Sequence, residues 1–340
     1  VPPGRAFSSA RSDVRILVTG GAGYIGSHTV KRLLGRGHDV TVYDSLVFGH
    51  RQAVPADRLV VGDLKDVDRV DHLMVVNRIE AVVHFAAFAY VGESVTNPAK
   101  YYANNLINSL NLLDRVRRLG ISRFVFSSTC ATYGVPTAVP ITEGEKQSPI
   151  NPYGNSKLAF EYALSDYAAA YPLGFAALRY FNAAGAAPDG TIGEDHDPET
   201  HLIPLVLEVA LGKRPHIEVF GTDYPTPDGT CVRDYIHVDD LADAHVLAVE
   251  KLQPGNAWKF NVGVGKGFSV REVIRTAEEV TGKTIAVKEG PRRPGDPPAL
   301  VASADTIRRE LGWEPKYTEL RAIIETAWKW HKAHPNGFGK

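Results

Sequence analysis

Residues 14–44 read VRILVTGGAGYIGSHTVKRLLGRGHDVTVYD. The apolar run Ile16-Leu17-Val18 has the length and branching of a strand buried on both faces. A glycine turn follows, Gly20-Gly21-Ala22-Gly23-Tyr24-Ile25-Gly26, then a helical stripe of Ile25, Val30, Leu33 and Leu34 ending near Gly35 and Gly37. A second strand, 39–43, delivers Asp44. This β-α-β unit has the parts of a dinucleotide site. Gly20 permits a sharp exit from the strand, Gly23 lets a pyrophosphate approach the backbone, and Gly26 lets the helix lie close to the sheet. The helix N-terminus offers unpaired N–H groups to the phosphates. Asp44 suits an acceptor for the adenosine ribose hydroxyls, and its charge repels a 2′-phosphate. The next residue is Ser45 rather than an arginine, so NAD is expected over NADP.

The chain of 340 residues is long enough for two lobes, and 44% hydrophobic with 23% charged residues is the composition of a globular protein. A formal net charge of −1 without a basic run argues against nucleic acid and anionic membrane as partners. No apolar stretch approaches the ~20 residues of a transmembrane helix. The two cysteines, Cys130 and Cys231, form no C-x-x-C pair, and the twelve histidines show neither H-x-x-x-H nor H-E-x-x-H spacing. Neither a disulfide framework nor a metal site is therefore expected. Residues 1–13 are polar, lack the apolar core of a signal peptide, and are expected to be a disordered leader. A reducing cytoplasm is the expected compartment.

Farther along, Leu59-Val60-Val61 reads as a strand, and Asp63 either faces an adenine amino group or caps a helix beginning at Lys65. A helix over 66–78 and a buried strand over 81–85 follow. The run Ala86-Ala87-Phe88-Ala89 suits close passage beside a flat cofactor, or simple packing. A long helix over 101–118 carries Asn104, Asn105, Asn108 and Asn111; amides in such a helix usually face water, and Asn104 is the one placed near the cofactor. The strand Phe124-Val125-Phe126 ends in Ser127-Ser128-Thr129, where ligands of open α/β sheets gather. Asn151-Pro152-Tyr153-Gly154-Asn155-Ser156-Lys157 opens a helix, with Tyr153 and Lys157 four apart on one face. A tyrosine with its ordinary pKa of ~10 is a poor base. An ammonium beside it, together with a nicotinamidium ring, favours the phenolate. After a strand over 175–178, residue 186 begins a Pro, Gly and Asp-rich stretch running to about His201. The rest reads as short pieces: a helix 203–211, a strand 217–220, a polar loop 221–231 and a helix 239–251. Arg233 and Arg293 are fork-shaped donors beside Gly and Pro-rich loops, suited to a diphosphate.

Seven of these segments in order, VTGGAGYIGSHTV, HFAA with VGES, SSTCATYG, NPYGNSK, RYFNAAGA, VFGTDYPTPDGTCVRDYIHVDDLADAH and RRPGDPPALVASA, resemble the extended short-chain dehydrogenase/reductase family. Within it they look like the UDP-galactose (UDP-glucose) 4-epimerases. The family's glycine spacing is the G-x-x-G-x-x-G found here. The resemblance implies a doubly wound parallel sheet of Rossmann type over 14–185, with 234–255 returning to it, and a smaller mixed α/β substrate domain over 186–340. It implies Tyr153 as base and acid, Lys157 holding its charge state and the nicotinamide ribose, and Thr129 hydrogen-bonding the sugar 4-oxygen. Residues and resemblance together place NAD against Gly20, Gly23, Tyr24, Ile25, Gly26, Asp44, Asp63, Leu64, Phe85, Ala86, Ala87, Asn104, Ser127, Tyr153, Lys157 and Tyr180. A UDP-sugar is expected against Ser128, Thr129, Tyr153, Asn182, His201, Leu202, Phe220, Arg233, Arg293, Asp296 and Leu300. Family members are commonly homodimers. Thr129 stands where the pattern often has serine, His201 where many members carry asparagine, and Ala89 where they carry lysine. Leu300 lies where residue size sets the sugar pocket. The expected activity is interconversion of UDP-galactose and UDP-glucose, the alternative being a 4-epimerase of UDP-xylose/arabinose, UDP-glucuronate or a UDP-N-acetylhexosamine.

Overall fold

Strands β1 (Arg15–Thr19), β2 (Asp39–Asp44), β3 (Leu59–Val61), β4 (Ala81–His84), β5 (Arg123–Thr129) and β6 (Gly174–Tyr180) pair in parallel in one sheet. The chain then leaves through β7 (Asn182–Ala184), β8 (Ile217–Phe220) and β9 (Val232–His237) before β10 (Ala257–Val262) joins the sheet beside β6. The order is β10-β6-β5-β4-β1-β2-β3, seven strands in all. This is a computed structural model, and it describes residues 13–293 and 296–339. Residues 1–12 of the expected leader lie outside that range.

Ile16, Leu17 and Val18 are wholly buried because helices cover both faces of the sheet. On one face Val18, Val42 and Leu178 pack with Leu33 of the helix Tyr24–Gly35 and Leu241 of the helix Val238–Lys251. On the other, Leu17, Val82 and Phe124 pack with Met74, Leu113 and Phe160 of the helices Val67–Val76, Asn108–Arg118 and Pro152–Ala170. Each such fully buried aliphatic side chain contributes roughly 1.5–3 kcal/mol. The strand order reverses between β1 and β4, so a crevice opens beyond their C-terminal ends.

The smaller sheet joins β11 (Gly267–Ser269), β9 and β13 (Ala299–Leu300), with β7 on β9. β12 (Val287–Gly290) pairs with β8. Helices Leu202–Ala210, Val270–Thr281 and Leu320–Ala333 share a separate core of Ile203, Val206, Val219, Ile274 and Ile323. In the segment expected to return, 234–255, the helix Val238–Lys251 packs with Tyr24–Gly35, whereas β9 belongs to the smaller sheet and β10 lies past residue 255. Among the described residues no helix is long and apolar enough to cross a membrane.

Two local expectations change. The helix after β3 begins at Val67, and Asp66, not Asp63, caps it by accepting from the Arg69 N–H at 3.2 Å. Asp63 instead accepts from the Lys65 N–H at 2.9 Å. The single helix expected over 101–118 is three segments, Pro98–Tyr101, a π-helical turn Tyr102–Ile107, and Asn108–Arg118. Within the wide turn Asn105 is buried, its amide clamping the Phe88 N–H and C=O at 2.9 Å each. Asn105 therefore does not face water.

Candidate active site

Gly20 leaves β1 at φ +71°, and a Cβ there would lie 2.5 Å from the Ala86 nitrogen. The glycine turn and the segment after β4 thus touch directly at the point where the sheet order reverses. At Gly26 a Cβ would meet the Gly20 carbonyl oxygen at 2.3 Å, so the helix start sits hard against the turn. Gly23 is different. It is the N-cap with φ −78° and ψ 175°, and the nearest atom to a built Cβ is 3.4 Å away. Nothing inside the described fold demands glycine there, and the space a side chain would fill lies over helix N–H groups that no side chain caps. That open cradle fits a pyrophosphate.

Asp44, at the end of β2, accepts from the Ala22 N–H at 2.9 Å and the Leu46 N–H at 2.8 Å. Burial pushes its carboxyl upward while those two N–H groups pull it back. It is fixed beside the glycine turn with lone pairs left over for a diol. Tyr24 Oη donates to the Gly185 carbonyl at 2.7 Å, so this side chain points to the strand exit and only its backbone faces the cradle. Leu64 packs its side chain in the core with Val70 and Met74. Phe85 rests on His245, ring centroids 4.7 Å apart. Asn104 donates to Asn105 at 3.0 Å.

The motif after residue 150 is explained by its turn. Asn151 caps the helix by accepting from the Gly154 N–H at 2.8 Å, and Pro152 takes the first position. A Cβ on Gly154 would lie 2.7 Å from the Ala131 carbonyl oxygen and 2.9 Å from Pro149 Cβ. Glycine therefore lets the helix start press on the turn Cys130–Thr132, which sets Tyr153 beside Thr129. Thr129 Oγ1 accepts from the Ala131 N–H at 3.1 Å, and its hydroxyl lowers the pKa of the Tyr153 phenol. Lys157 Nζ donates to the Ser127 carbonyl at 2.8 Å and lies 6.0 Å from the Tyr153 ring centroid. Ser127 Oγ and Tyr180 Oη share a hydrogen bond in the same buried group.

The charge balance differs from the simple expectation. Burial pushes the Tyr153 phenol well above its usual value, nearby Tyr180 adds to this, and the Thr129 hydrogen bond opposes it. Burial also lowers the Lys157 ammonium to about 7, partly offset by Glu161. On the phenol, desolvation outweighs the lowering by Thr129.

Ser128 is not brought to the cleft. Side chains alternate along β5, so Ser127 and Thr129 share one side and Ser128 takes the other. Its hydroxyl is fully buried and donates to Glu161 at 2.5 Å. Glu161 also pairs with buried Arg179 at 2.5 Å, and Arg179 reaches Tyr133 Oη at 2.9 Å. The expectation that Ser128 touches substrate is corrected on that ground.

Across the crevice Arg233 is ion-paired with Asp296, and Arg293 stacks on the Phe220 ring at 3.9 Å. Asn182 donates to the Asp234 carbonyl at 3.1 Å, and Leu300 packs beside Cys130 and Phe181. Leu202 opens its helix, with His201 just before it as a half-exposed N-cap residue. His201 is directed at Glu194 and Glu199, 2.9 Å from each. Sequence reasoning passed over Asn105, Glu161 and Arg179. Charged residues inside otherwise apolar helix and strand patterns were the available signal for the last two.

The family model described as the NAD dependent epimerase/dehydratase family matches residues 16–263. The chain belongs to this family. NAD is accordingly its cofactor. Among members of the epimerase family, the UDP-glucose 4-epimerase of Lacticaseibacillus casei is 53% identical over 326 residues, covering 95% of this chain and 98% of that protein. The crystal structure of UDP-glucose 4-epimerase from Brucella ovis in complex with NAD superposes with a TM-score of 0.90 at 52% identity, covering 93% of this chain and 97% of that one. The Bifidobacterium longum UDP-glucose 4-epimerase, in complex with NAD+ and UDP, gives 0.91 at 38% identity, covering 96% and 100%.

Proposed function

We propose that this protein is an isomerase that interconverts UDP-galactose and UDP-glucose through a transient 4-keto sugar. The observation that carries the reading is Tyr153 with Lys157 6.0 Å from its ring, Lys157 being held on the Ser127 carbonyl at the end of β5 and the helix start being pressed by Gly154 on the turn after Thr129. The relatives named above carry this activity in their names.

Gly23 and the N–H groups of Tyr24 and Ile25 would hold the pyrophosphate of NAD, Asp44 its adenosine ribose, and Lys157 its nicotinamide ribose. When bound, NAD supplies the acceptor for the C4 hydride and a positive charge close to Tyr153. Thr129 orients the sugar 4-oxygen, and Tyr153 takes the 4-hydroxyl proton as that hydride leaves. Lys157 and Thr129 hold Tyr153 as the phenolate before the transfer, and that phenolate becomes the phenol on accepting the 4-hydroxyl proton. Arg233, Arg293, Asp296, Asn182 and Phe220 grip the UDP portion, so the sugar turns over about a fixed anchor. Tyr153 then returns its proton to the 4-oxygen of the turned-over sugar. UDP binding, remote from C4, supplies energy for holding the reacting carbinol in line.

Exposed Val91, Val95, Ile107 and Tyr162 lie on neighbouring helix segments of one lobe, which supports a homodimer through that surface. The two free cysteines are consistent with a cytoplasmic enzyme. Purified protein incubated with UDP-galactose, UDP-glucose, UDP-pentoses, UDP-glucuronate and UDP-N-acetylhexosamines, without added NAD, tests the reading. Chromatography should show UDP-galactose and UDP-glucose converging to one mixture. Turnover of UDP-pentoses alone overturns the hexose assignment, and light scattering checks the dimer.

A further inference from the structure

We propose that Glu194, His196, Glu199 and His201 bind one divalent transition-metal ion, zinc by their donor chemistry, which pins the loop 194–201 between the helices Tyr24–Gly35 and Leu320–Ala333. The four ligand atoms all lie within 4.8 Å of one another. They alternate as a ring. His201 Nδ1 is 2.9 Å from Glu194 Oε1 and 2.9 Å from Glu199 Oε1. His196 Nδ1 is 3.3 Å from Glu194 Oε1 and 3.5 Å from Glu199 Oε2. A tetrahedral zinc with bonds of about 2.0–2.1 Å holds its ligand atoms roughly 3.3 Å apart. The edges of the ring straddle that separation, and its diagonals, within 4.8 Å, would have to contract to hold the ion.

A second observation points inward. The Glu194 side chain is only 4% exposed, yet neither its Oε1 nor His196 Nδ1 has a hydrogen-bond partner of acceptable geometry. His201 Nδ1 is hydrogen-bonded to Glu199 Oε1, which also accepts from the Thr200 and His201 N–H groups, so the unsatisfied pair is Glu194 Oε1 and His196 Nδ1; a cation between them removes the cost of leaving buried polar atoms unpartnered. Two imidazole nitrogens and two carboxylate oxygens suit zinc better than calcium or magnesium, which prefer all-oxygen sets.

The loop is held ready from both sides. Trp330 Nε1 donates to the Glu194 carbonyl at 3.2 Å, and the Phe338 N–H donates to Asp195 at 2.9 Å. The Tyr24 ring meets His196 edge-on at 6.1 Å. His201, half-exposed, gives an entering ion a path to the ring.

The test uses the full chain, stripped with a chelator and exchanged into metal-free buffer. Calorimetric titration with zinc chloride should show one saturable equivalent per chain, and titration with cobalt chloride should show the visible bands of tetrahedral cobalt. His196→Gln should weaken both by at least about 10-fold, since even outer-shell changes cost that much, with an unchanged far-ultraviolet circular dichroism spectrum. His50→Gln, adjacent to the loop but outside the ring, should bind as the unmodified chain does. No saturable binding of either metal by the unmodified chain, or equal affinity in His196→Gln, overturns the proposal.

Discussion

Replacing Gly154 by alanine tests whether the start of its helix sets the catalytic geometry. The added Cβ would lie 2.7 Å from the Ala131 carbonyl oxygen and 2.9 Å from Pro149 Cβ, both rigid neighbours. Restoring van der Waals separation requires the helix start to withdraw by roughly 0.6–0.8 Å. Overpacking of this kind costs roughly 1–3 kcal/mol, while alanine recovers up to about 1 kcal/mol of helix propensity. The net stability change is therefore small, a fall of a few °C in Tm at most. Activity should suffer far more. Tyr153 is the preceding residue, and Ala131 belongs to the turn whose N–H fixes Thr129. A displacement approaching 1 Å at a reacting group costs on the order of 10²-fold, so kcat should fall about 10- to 100-fold. The assay is initial-rate conversion of UDP-galactose, with Tm measured on the same preparation. Full kcat with an unchanged or raised Tm would refute the argument that Gly154 positions the pair.

Tyr153→Phe should lower kcat about 10²- to 10⁴-fold while the protein still carries NAD, read as nucleotide released by acid; undiminished turnover removes the phenol from the mechanism. Gly23→Ala meets no atom closer than 3.4 Å, so NAD-free stability should hold while NAD affinity falls by at least about tenfold, roughly 1.4 kcal/mol; retained NAD refutes the cradle. Glu161→Gln leaves buried Arg179 short of its counter-charge and should cost about 3–5 kcal/mol in urea unfolding, and a loss under 1 kcal/mol contradicts the network. Lys157 loses its proton near pH 7 when folded without cofactor, because burial lowers it, but at ~10.4 when unfolded. Between these values the unfolded chain holds more protons, so this residue makes the NAD-free protein more stable as pH rises from 7 towards 10. Lys157→Met should flatten that rise in Tm, and an unaltered slope assigns the effect elsewhere.

The parts of the site legible in the sequence are those whose geometry is local. Gly20, Gly23, Gly26 and Asp44 form one β-α-β unit, and Tyr153 and Lys157 share a helix face by spacing alone. Alternation along β5 was also available, and applying it would have removed Ser128 from the substrate face. Asn105 was hidden because a π turn abandons the period on which helix faces are read. The phenol's charge balance depends on burial, a sum over neighbours from distant segments. The Glu194–His201 cluster matches no familiar metal-ligand spacing, since it is built by an irregular loop rather than one helix face.

The placement of β10 has a consequence for synthesis and truncation. Its partner β6 ends at residue 180, but β10 is not complete until residue 262. A growing chain thus emerges with the outer rim of its large sheet bare, and must make the whole of β7, β8 and β9 before that rim is covered. Bare rims invite pairing with other chains. A fragment cut after residue 185 should consequently aggregate, and the two lobes are better understood as finishing together than one after the other.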